Sequence, residues 1–245
     1  MNKVRLPSLL DTFNLLDLIK CDYYHSKDDN YIIIEATPAT GILYITKNSP
    51  YFISGHVRLR GRNHGKYPYS YLEMIDVIFG PGPEENTIEV CSHSQFQKAL
   101  TVDINPDNKP DIVDDTQILS KIESNSFNRW RCDPPYNRDT ADKMYGTKLP
   151  VTSKLLEAGA RVCKANSLLF LLLGPQNYQW TPIGVKSIGW IAITIVPNNE
   201  LRALHIFIKL NKVTKKEIIH IILLSFDKSL QFPKLDSSLR ININL

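Results

Sequence analysis

Two consecutive prolines, Pro134 and Pro135, are the feature that most constrains how this chain folds. They lie in the run Asp133-Pro134-Pro135-Tyr136, directly after a stretch that contains Trp130. Proline has no N–H group and fixes its own φ angle, so a proline pair cannot continue a hydrogen-bonded β-ladder. The sequence therefore predicts a strand that ends here in a rigid, extended elbow. The carbonyl groups of Asp133 and Pro134, without ladder partners, are then free to accept hydrogen bonds from a ligand.

This elbow suits the exocyclic amino group of a nucleobase, whose nitrogen is a poor nucleophile because its lone pair is delocalised into the ring. The Asp133 carboxylate and the Pro134 carbonyl can each accept one N–H, which localises the lone pair toward an incoming methyl group. Tyr136 can stack on the base, a contact worth about 1–3 kcal/mol. An ordinary loop that contains two prolines is the alternative interpretation.

The composition indicates a globular chain and argues against several other classes of protein. The chain has 245 residues, 43% hydrophobic and 22% charged, which predicts one domain with small additions. A net charge of +4 permits a polyanionic partner without requiring one. The four cysteines are far apart, which predicts reduced thiols and no metal site. Because we find neither a signal-peptide pattern nor an apolar run of membrane-spanning length, we expect a cytoplasmic protein without a membrane partner.

The order of the predicted elements favours an α/β fold. Residues 1–20 have apolar residues at helical spacing, residues 31–35 and 41–46 form a predicted hairpin, and residues 58–66 form a basic loop. Helices are predicted at residues 69–79 and 150–163, and strands at 87–91, 100–104, 110–113, 129–133, 167–173, 189–196 and 204–210. Seven strands with interposed helices predict a doubly wound, mostly parallel sheet. We place a β-rich extension at residues 1–60, the main domain at 61–210 and a second extension at 211–245.

Acidic residues lie at or near the ends of four successive predicted strands: Glu89, Asp103, Asp115 and Asp133. Ligands of doubly wound sheets bind at the carboxyl ends of the strands, where an acid after the second strand commonly holds ribose hydroxyls. The alternative is that these acids cap the following helices. We prefer capping for the neighbouring Asp114 and ligand binding for Asp103 and Asp115.

Together these motifs resemble the S-adenosylmethionine-dependent amino methyltransferases that act on nucleic-acid bases, in particular the adenine-N6 enzymes. The run Asp133-Pro134-Pro135-Tyr136 resembles their complete catalytic motif. The resemblance covers roughly residues 62–210 and implies a Rossmann-like class I methyltransferase fold with S-adenosyl-L-methionine as the cofactor.

The resemblance also implies cofactor-binding residues, taken segment by segment. Lys66, Tyr67 and Pro68 match the segment that helps to hold the methionine end of the cofactor. Glu89, Cys91 and Ser92 match the first strand and its loop, Asp103 and Ile104 the second strand with its ribose-binding acid, and Asp115 and Thr116 the contact to the cofactor's adenine. The first loop contains no glycine in this chain, and it is short.

Further residues are candidates for substrate binding. Arg58, Arg60 and Arg62 of the basic loop are predicted to contact a phosphate backbone, with a solvated surface loop as the alternative. Tyr178 and Trp180 are predicted to form a wall of the base pocket, unless they only pack a turn. Asn137 either touches the target base or caps the next helix.

Three functions remain open at this point. The first is a methyltransferase that acts on a nucleobase amino group, with N6 of adenine in DNA as the favoured target. The second keeps this chemistry but acts on RNA, at adenine-N6 or guanine-N2. The third, motivated by the loop without glycine, is an inactive methyltransferase-like subunit that binds nucleic acid. No metal is expected in any of them.

Overall fold

The computed structural model describes residues 15–47, 52–61, 67–81, 86–91, 99–175 and 181–211. All of them belong to one unit, Met1–Asn211, and the second unit, Lys212–Leu245, lies outside the described residues. The strands are β1 (Tyr24–His25), β2 (Tyr31–Glu35), β3 (Thr40–Thr46), β4 (Ile53–Arg60), β5 (Thr87–Val90), β6 (Leu100–Asp103), β7 (Ile112–Val113), β8 (Phe127–Cys132), β9 (Cys163–Leu173), β10 (Val185–Val196) and β11 (Glu200–Lys209). The α-helices of this part are α1 (Tyr71–Phe79), α2 (Arg138–Tyr145) and α3 (Thr152–Val162).

All of these strands belong to a single mixed sheet of eleven strands, in the order β1-β2-β3-β4-β10-β11-β9-β8-β5-β6-β7. The pairs β9–β8, β8–β5, β5–β6 and β6–β7 are parallel, so these five strands form a parallel block. Toward the other edge, β11 is antiparallel to both of its neighbours, β4 is parallel to β10, and β4 to β1 are joined by antiparallel pairs. No described helix is long and apolar enough to cross a membrane.

The fold class predicted from the sequence is therefore wrong. The protein does not have a doubly wound, mostly parallel sheet of seven strands. It has an eleven-stranded mixed sheet, and its described part contains only three α-helices.

The difference arises at β4, because the sequence predicts that its last residues belong to a basic loop. Residues 58–60 instead end a strand that pairs with β10 from Ile53 opposite Gly189 to Arg60 opposite Val196. This ladder joins the predicted N-terminal hairpin to the main sheet. From His56 to Arg60 exposed and buried residues alternate regularly along β4, but the exposed positions carry histidine and arginine, which conceal the strand pattern in the sequence.

One face of the sheet is covered by α1. Met74, Ile75 and Ile78 of this helix are fully buried, as their helical spacing predicts. They belong to one core cluster with alternate residues of the strands, among them Val57 of β4 and Ile193 of β10.

The opposite face is covered by α3 over the parallel strands and the adjoining part of β11. Leu155 and Leu156 of α3 are fully buried in a second core cluster with Trp130 of β8. Gly159 of the helix lies against the Trp130 indole, where an added Cβ would stand 2.7 Å from ring atoms. Only glycine permits this close approach of helix and ring, so a residue that weakens an isolated helix here allows the helix to pack.

Candidate active site

The predicted elbow is present at the end of β8. The strand ends at Cys132 and residues 133–135 leave the ladder, as expected where two N–H groups are missing. Asn137 then begins α2, and its side-chain oxygen accepts a hydrogen bond of 2.8 Å from the backbone N–H of Thr140. Asn137 therefore has the capping role, one of the two roles predicted for it.

The elbow lines a cleft of about 1800 Å³ at the carboxyl ends of the parallel strands. Because β5, β6, β7 and β8 run in the same direction, the residues that follow them meet at one edge of the sheet. The cleft brings together most of the predicted site residues, namely Arg60, Pro68, Cys91, Asp103, Ile104, Asp115, Thr116, Asp133, Pro134, Pro135, Tyr136 and Asn137.

The wall of the cleft formed by β6 and the residues after β7 is acidic and partly apolar. Asp103 is 7% exposed and its Oδ1 accepts the backbone N–H of Asn105 at 2.7 Å, whereas the next residue, Ile104, is 49% exposed. Asp115 accepts the N–H of Gln117 at 2.9 Å, which fixes the turn after β7. This wall presents an oriented carboxylate beside an exposed apolar side chain.

Glu89 and Tyr67, two predicted cofactor ligands, do not line the cleft. Glu89 is 0% exposed, accepts a hydrogen bond from the Tyr67 hydroxyl and has its Oε2 2.6 Å from Nε of Arg131. Burial raises the pKa of Glu89, while Arg131 and the Tyr67 hydroxyl act in the opposite direction. Tyr67 in turn stacks on Tyr71 of α1 with ring centroids 4.6 Å apart. These residues form a buried network beneath the site.

Asp133 is a carboxyl group at the cleft whose pKa is shifted. Burial raises its pKa to about 7, with Glu89 and Glu200 adding to the effect and the positive charge of Arg202 opposing it. Its Oδ1 accepts a hydrogen bond from the hydroxyl of Tyr136, three residues along the elbow. A carboxyl group with such a pKa is poised between its charged and neutral forms at neutral pH.

Arg202 is a site residue that the sequence did not reveal. It lies on β11, and its guanidinium carbon stands 3.4 Å from the centroid of the Tyr136 ring, so it covers one face of that ring. It also pairs with Glu200, while its Nε and Nη1 are buried without a hydrogen-bond partner among the described residues. Burial lowers the pKa of Arg202 to about 10, and Asp133 counteracts this. No local motif marks this residue, because only the pairing of β11 with β9 and β10 brings it to the elbow.

The remaining predicted residues lie elsewhere. Arg58 is exposed on β4 and does not line the cleft, whereas Arg60, at the end of the same strand, does and stacks over Tyr69 at 5.8 Å. Five predicted residues lie outside the described part of the chain: Arg62, Lys66, Ser92, Tyr178 and Trp180.

Within the described ranges, no group of three or more His, Cys, Asp or Glu side chains is arranged to hold a metal ion. The neighbour Asp114 does not cap a helix as predicted, because the described residues between β7 and β8 contain none. Its carboxylate accepts hydrogen bonds from the N–H groups of Asp115 and Lys121, both at 2.8 Å, and so ties the turn after β7 to the following segment.

No protein-family model matches this chain, and no curated protein matches its sequence. Among solved structures, part of the chain is similar to TrmN from Thermus thermophilus, with a TM-score of 0.39 and 9% sequence identity. The similarity covers 52% of this chain and 45% of TrmN, so it spans less than half of that protein. A likeness at this level carries no argument about function.

Proposed function

We propose that this protein is an S-adenosyl-L-methionine-dependent methyltransferase that modifies the exocyclic amino group of a nucleobase, with N6 of adenine in DNA as the favoured target. One observation carries the proposal. The proline-locked acceptors of the elbow, Asp133 and Pro134, open on the same cleft as the oriented carboxylate of Asp103. This arrangement allows an amino group and a nucleoside-type cofactor to meet in one cavity.

The elbow residues have distinct roles in this proposal. The Asp133 carboxylate and the Pro134 carbonyl each accept one N–H of the target amino group and orient its lone pair away from the base. Tyr136 stacks on the base through the ring face opposite Arg202, because the guanidinium occupies the other face. The incoming amino group replaces the Tyr136 hydroxyl as the hydrogen-bond donor to Asp133. Extraction of the base from a duplex requires a few kcal/mol.

The opposite wall of the cleft fits the cofactor. Asp103 is positioned to accept hydrogen bonds from ribose hydroxyls, and the exposed Ile104 offers an apolar surface to a purine ring. Thr116, which is 5% exposed and also lines the cleft, borders the same region. When bound, the cofactor supplies an electrophilic methyl group.

The proposed role of Asp133 sets the pH dependence of the reaction. The ionised carboxylate of Asp133 accepts its hydrogen bond from the amino group more strongly than the neutral acid does, and only the ionised form can later take up the proton that the methylated amine releases. Because the pKa of Asp133 is raised to about 7, its ionised fraction grows as the pH rises through neutrality. Methyl transfer should therefore accelerate between about pH 6 and pH 8.

A methyl-transfer assay tests the proposal. The purified chain is incubated with radiolabelled cofactor and adenine-containing DNA or RNA oligonucleotides, and the products are digested to nucleosides for mass analysis. Asp133→Ala should lower the rate about 100- to 10,000-fold, since it removes the principal acceptor. Asp139→Ala is the matched control, because Asp139 is an exposed carboxylate on α2 whose pairing with Lys143 is also exposed. Near-normal methylation by Asp133→Ala would show that the assigned mechanism is wrong.

The same assay separates DNA from RNA as the substrate, because the modified polymer and base are identified directly.

An inactive nucleic-acid-binding subunit remains the second candidate. It is favoured by Cys91, which has a φ of 57° at a position where a glycine would be unstrained, and by the occupation of Asp133 by the Tyr136 hydroxyl. If calorimetry detects no cofactor binding and the cofactor does not raise the unfolding temperature, the proposed activity is wrong and the second candidate is favoured.

A further inference from the structure

An open face of the sheet lies beside the cleft, formed by β3, β4 and β10. It is the same face that α3 covers over the parallel strands, because Trp190 of β10 pairs with His205, and His205 stacks on Phe207 of the core beneath α3. On β10, β4 and β3 the residues of this face alternate with buried ones. We call this surface the open face and define it by Tyr44, Ile42, His56, Arg58, Arg60 and Trp190.

Three large apolar side chains of the open face remain exposed. Trp190 is 46% exposed, Ile42 41% and Tyr44 40%. The strand register places Trp190 and Tyr44 in one row, on either side of Ser54. Exposed aromatic side chains in a contiguous patch indicate an interaction surface.

Basic residues connect these aromatic residues with the cleft. Arg58 and Arg60 lie on β4 on the same side as His56, whose Nε2 is 2.7 Å from the Thr194 hydroxyl. Arg60 is opposite Val196 of β10, and both line the cleft. Between the row of Trp190 and that of Arg60, β4 extends about 20 Å at 3.3 Å per residue. The open face is therefore a continuous track that starts at the cleft.

We infer that the open face binds single-stranded nucleic acid and leads it into the cleft. Aromatic rings accept bases by stacking regardless of sequence, and arginines neutralise the phosphates between them. The alternation of side chains along β4 and the pairing of β3 with β4 place aromatic and basic side chains on one surface. This surface complements the phosphates and the base rings of a polynucleotide. The part of the inference that leads the nucleic acid into the cleft rests on the proposed function. Binding of the nucleic acid to the open face does not depend on catalysis.

Fluorescence anisotropy of labelled DNA and RNA strands of about ten nucleotides, a length within the usual range of such sites, measures the interaction on the full chain. Trp190→Ala and Tyr44→Ala should each weaken binding about 10-fold, because each removes a stacking surface. Arg58→Gln should weaken binding. It should also reduce the magnitude of the slope of log K against the logarithm of the salt concentration by about 0.7, the value for one lost phosphate contact with single-stranded nucleic acid.

Two matched controls lie outside the open face. Lys20→Gln removes one exposed positive charge on the side of the sheet that α1 covers, and Tyr23→Ala removes a tyrosine that is 44% exposed before β1. Neither should change binding more than about 2-fold. Circular dichroism and the unfolding midpoint of each variant verify that it is folded.

The possible outcomes distinguish this inference from the proposed function. If strands bind the wild type and the open-face variants lose binding, the inference holds even when no methyl transfer is found. If methyl transfer occurs but the open-face variants bind and react like the wild type, the inference is wrong and the proposed function stands. Sedimentation velocity tests whether the open face instead binds a second copy of this chain. If Trp190→Ala dissociates a dimer without loss of nucleic-acid binding, the inference is wrong.

Discussion

Trp130 and Trp190 lie on the same face of one sheet, yet their surroundings differ completely. Trp130 is 0% exposed beneath α3, whereas Trp190 is 46% exposed on the open face. Over the parallel strands a helix covers the sheet and the aromatic ring belongs to the core. Over β10, β4 and β3 the ring is available to a ligand. The comparison shows that one face of the sheet combines a part that α3 covers and that belongs to the core with a part whose side chains are left for other contacts.

The largest effect should follow from removal of the covered tryptophan. Trp130→Ala leaves a cavity in the core beneath α3 and should lower the free energy of unfolding by about 3–5 kcal/mol. Urea unfolding followed by circular dichroism measures this. The indole nitrogen of Trp130 has no hydrogen-bond partner among the described residues. Trp130→Phe should therefore be much milder, and an equal loss in both variants would contradict a packing role.

A smaller effect is expected from Gly159→Ala on the helix above that ring. The added Cβ would stand 2.7 Å from the indole, so helix and ring must separate. The expected loss is about 1–3 kcal/mol, although alanine is the better helix former. Glu157→Ala, at an exposed position of the same helix, is the control. Combination of Gly159→Ala with Trp130→Phe should recover part of the loss, and strict additivity would show that the two residues are not coupled.

The free energy of unfolding should depend on pH through Asp133, which lies at the edge of the half that α3 covers. Its pKa is raised from its ordinary value of 3.8 to about 7, so between these pH values the folded protein holds a proton that the unfolded chain has released. The stability contribution of Asp133 therefore falls as the pH rises through this window. Asp133→Asn lacks this titration and should gain roughly 1–2 kcal/mol over the wild type between pH 4 and pH 8, after allowance for solvent screening. Equal pH profiles of the two proteins would refute the assignment.

The smallest effect should follow from changes on the open face. Trp190→Ala and Tyr44→Ala should each alter the free energy of unfolding by less than about 1 kcal/mol, the range of single cross-strand contacts. The same urea titrations measure this. A loss as large as that of Trp130→Ala would mean that Trp190 serves the fold, and the contrast between the two halves would disappear.

Much of the local structure around the cleft could be predicted from the sequence. The period of residues 69–79 predicted α1, and short apolar runs located β5, β6 and β8 within one or two residues. The proline pair correctly ended β8, because the missing N–H groups act whatever the surrounding fold. Such features depend on interactions between near neighbours in the chain.

Long-range pairing limited the rest of the prediction. Strand β4 was missed because its exposed arginines resemble a loop, and α2 because its sequence is almost entirely polar. The sequence places Glu89 in a strand, but nothing near it in the chain indicates that its carboxylate is buried against Arg131 and Tyr67 instead of lining the cleft. Arg202 reaches Tyr136 only through the pairing of distant strands.

The buried network of Glu89, Arg131 and Tyr67 has a mechanical consequence. It cross-links β5, β8 and the segment before α1 beneath the elbow through an ion pair and a hydrogen bond that are shielded from water. Removal of either charge would leave its partner buried without a counter-charge, which is energetically costly. The structure beneath the elbow is therefore rigid. The cleft can then adapt to ligands of different shape only by movement of its side walls, because the network beneath it stays fixed.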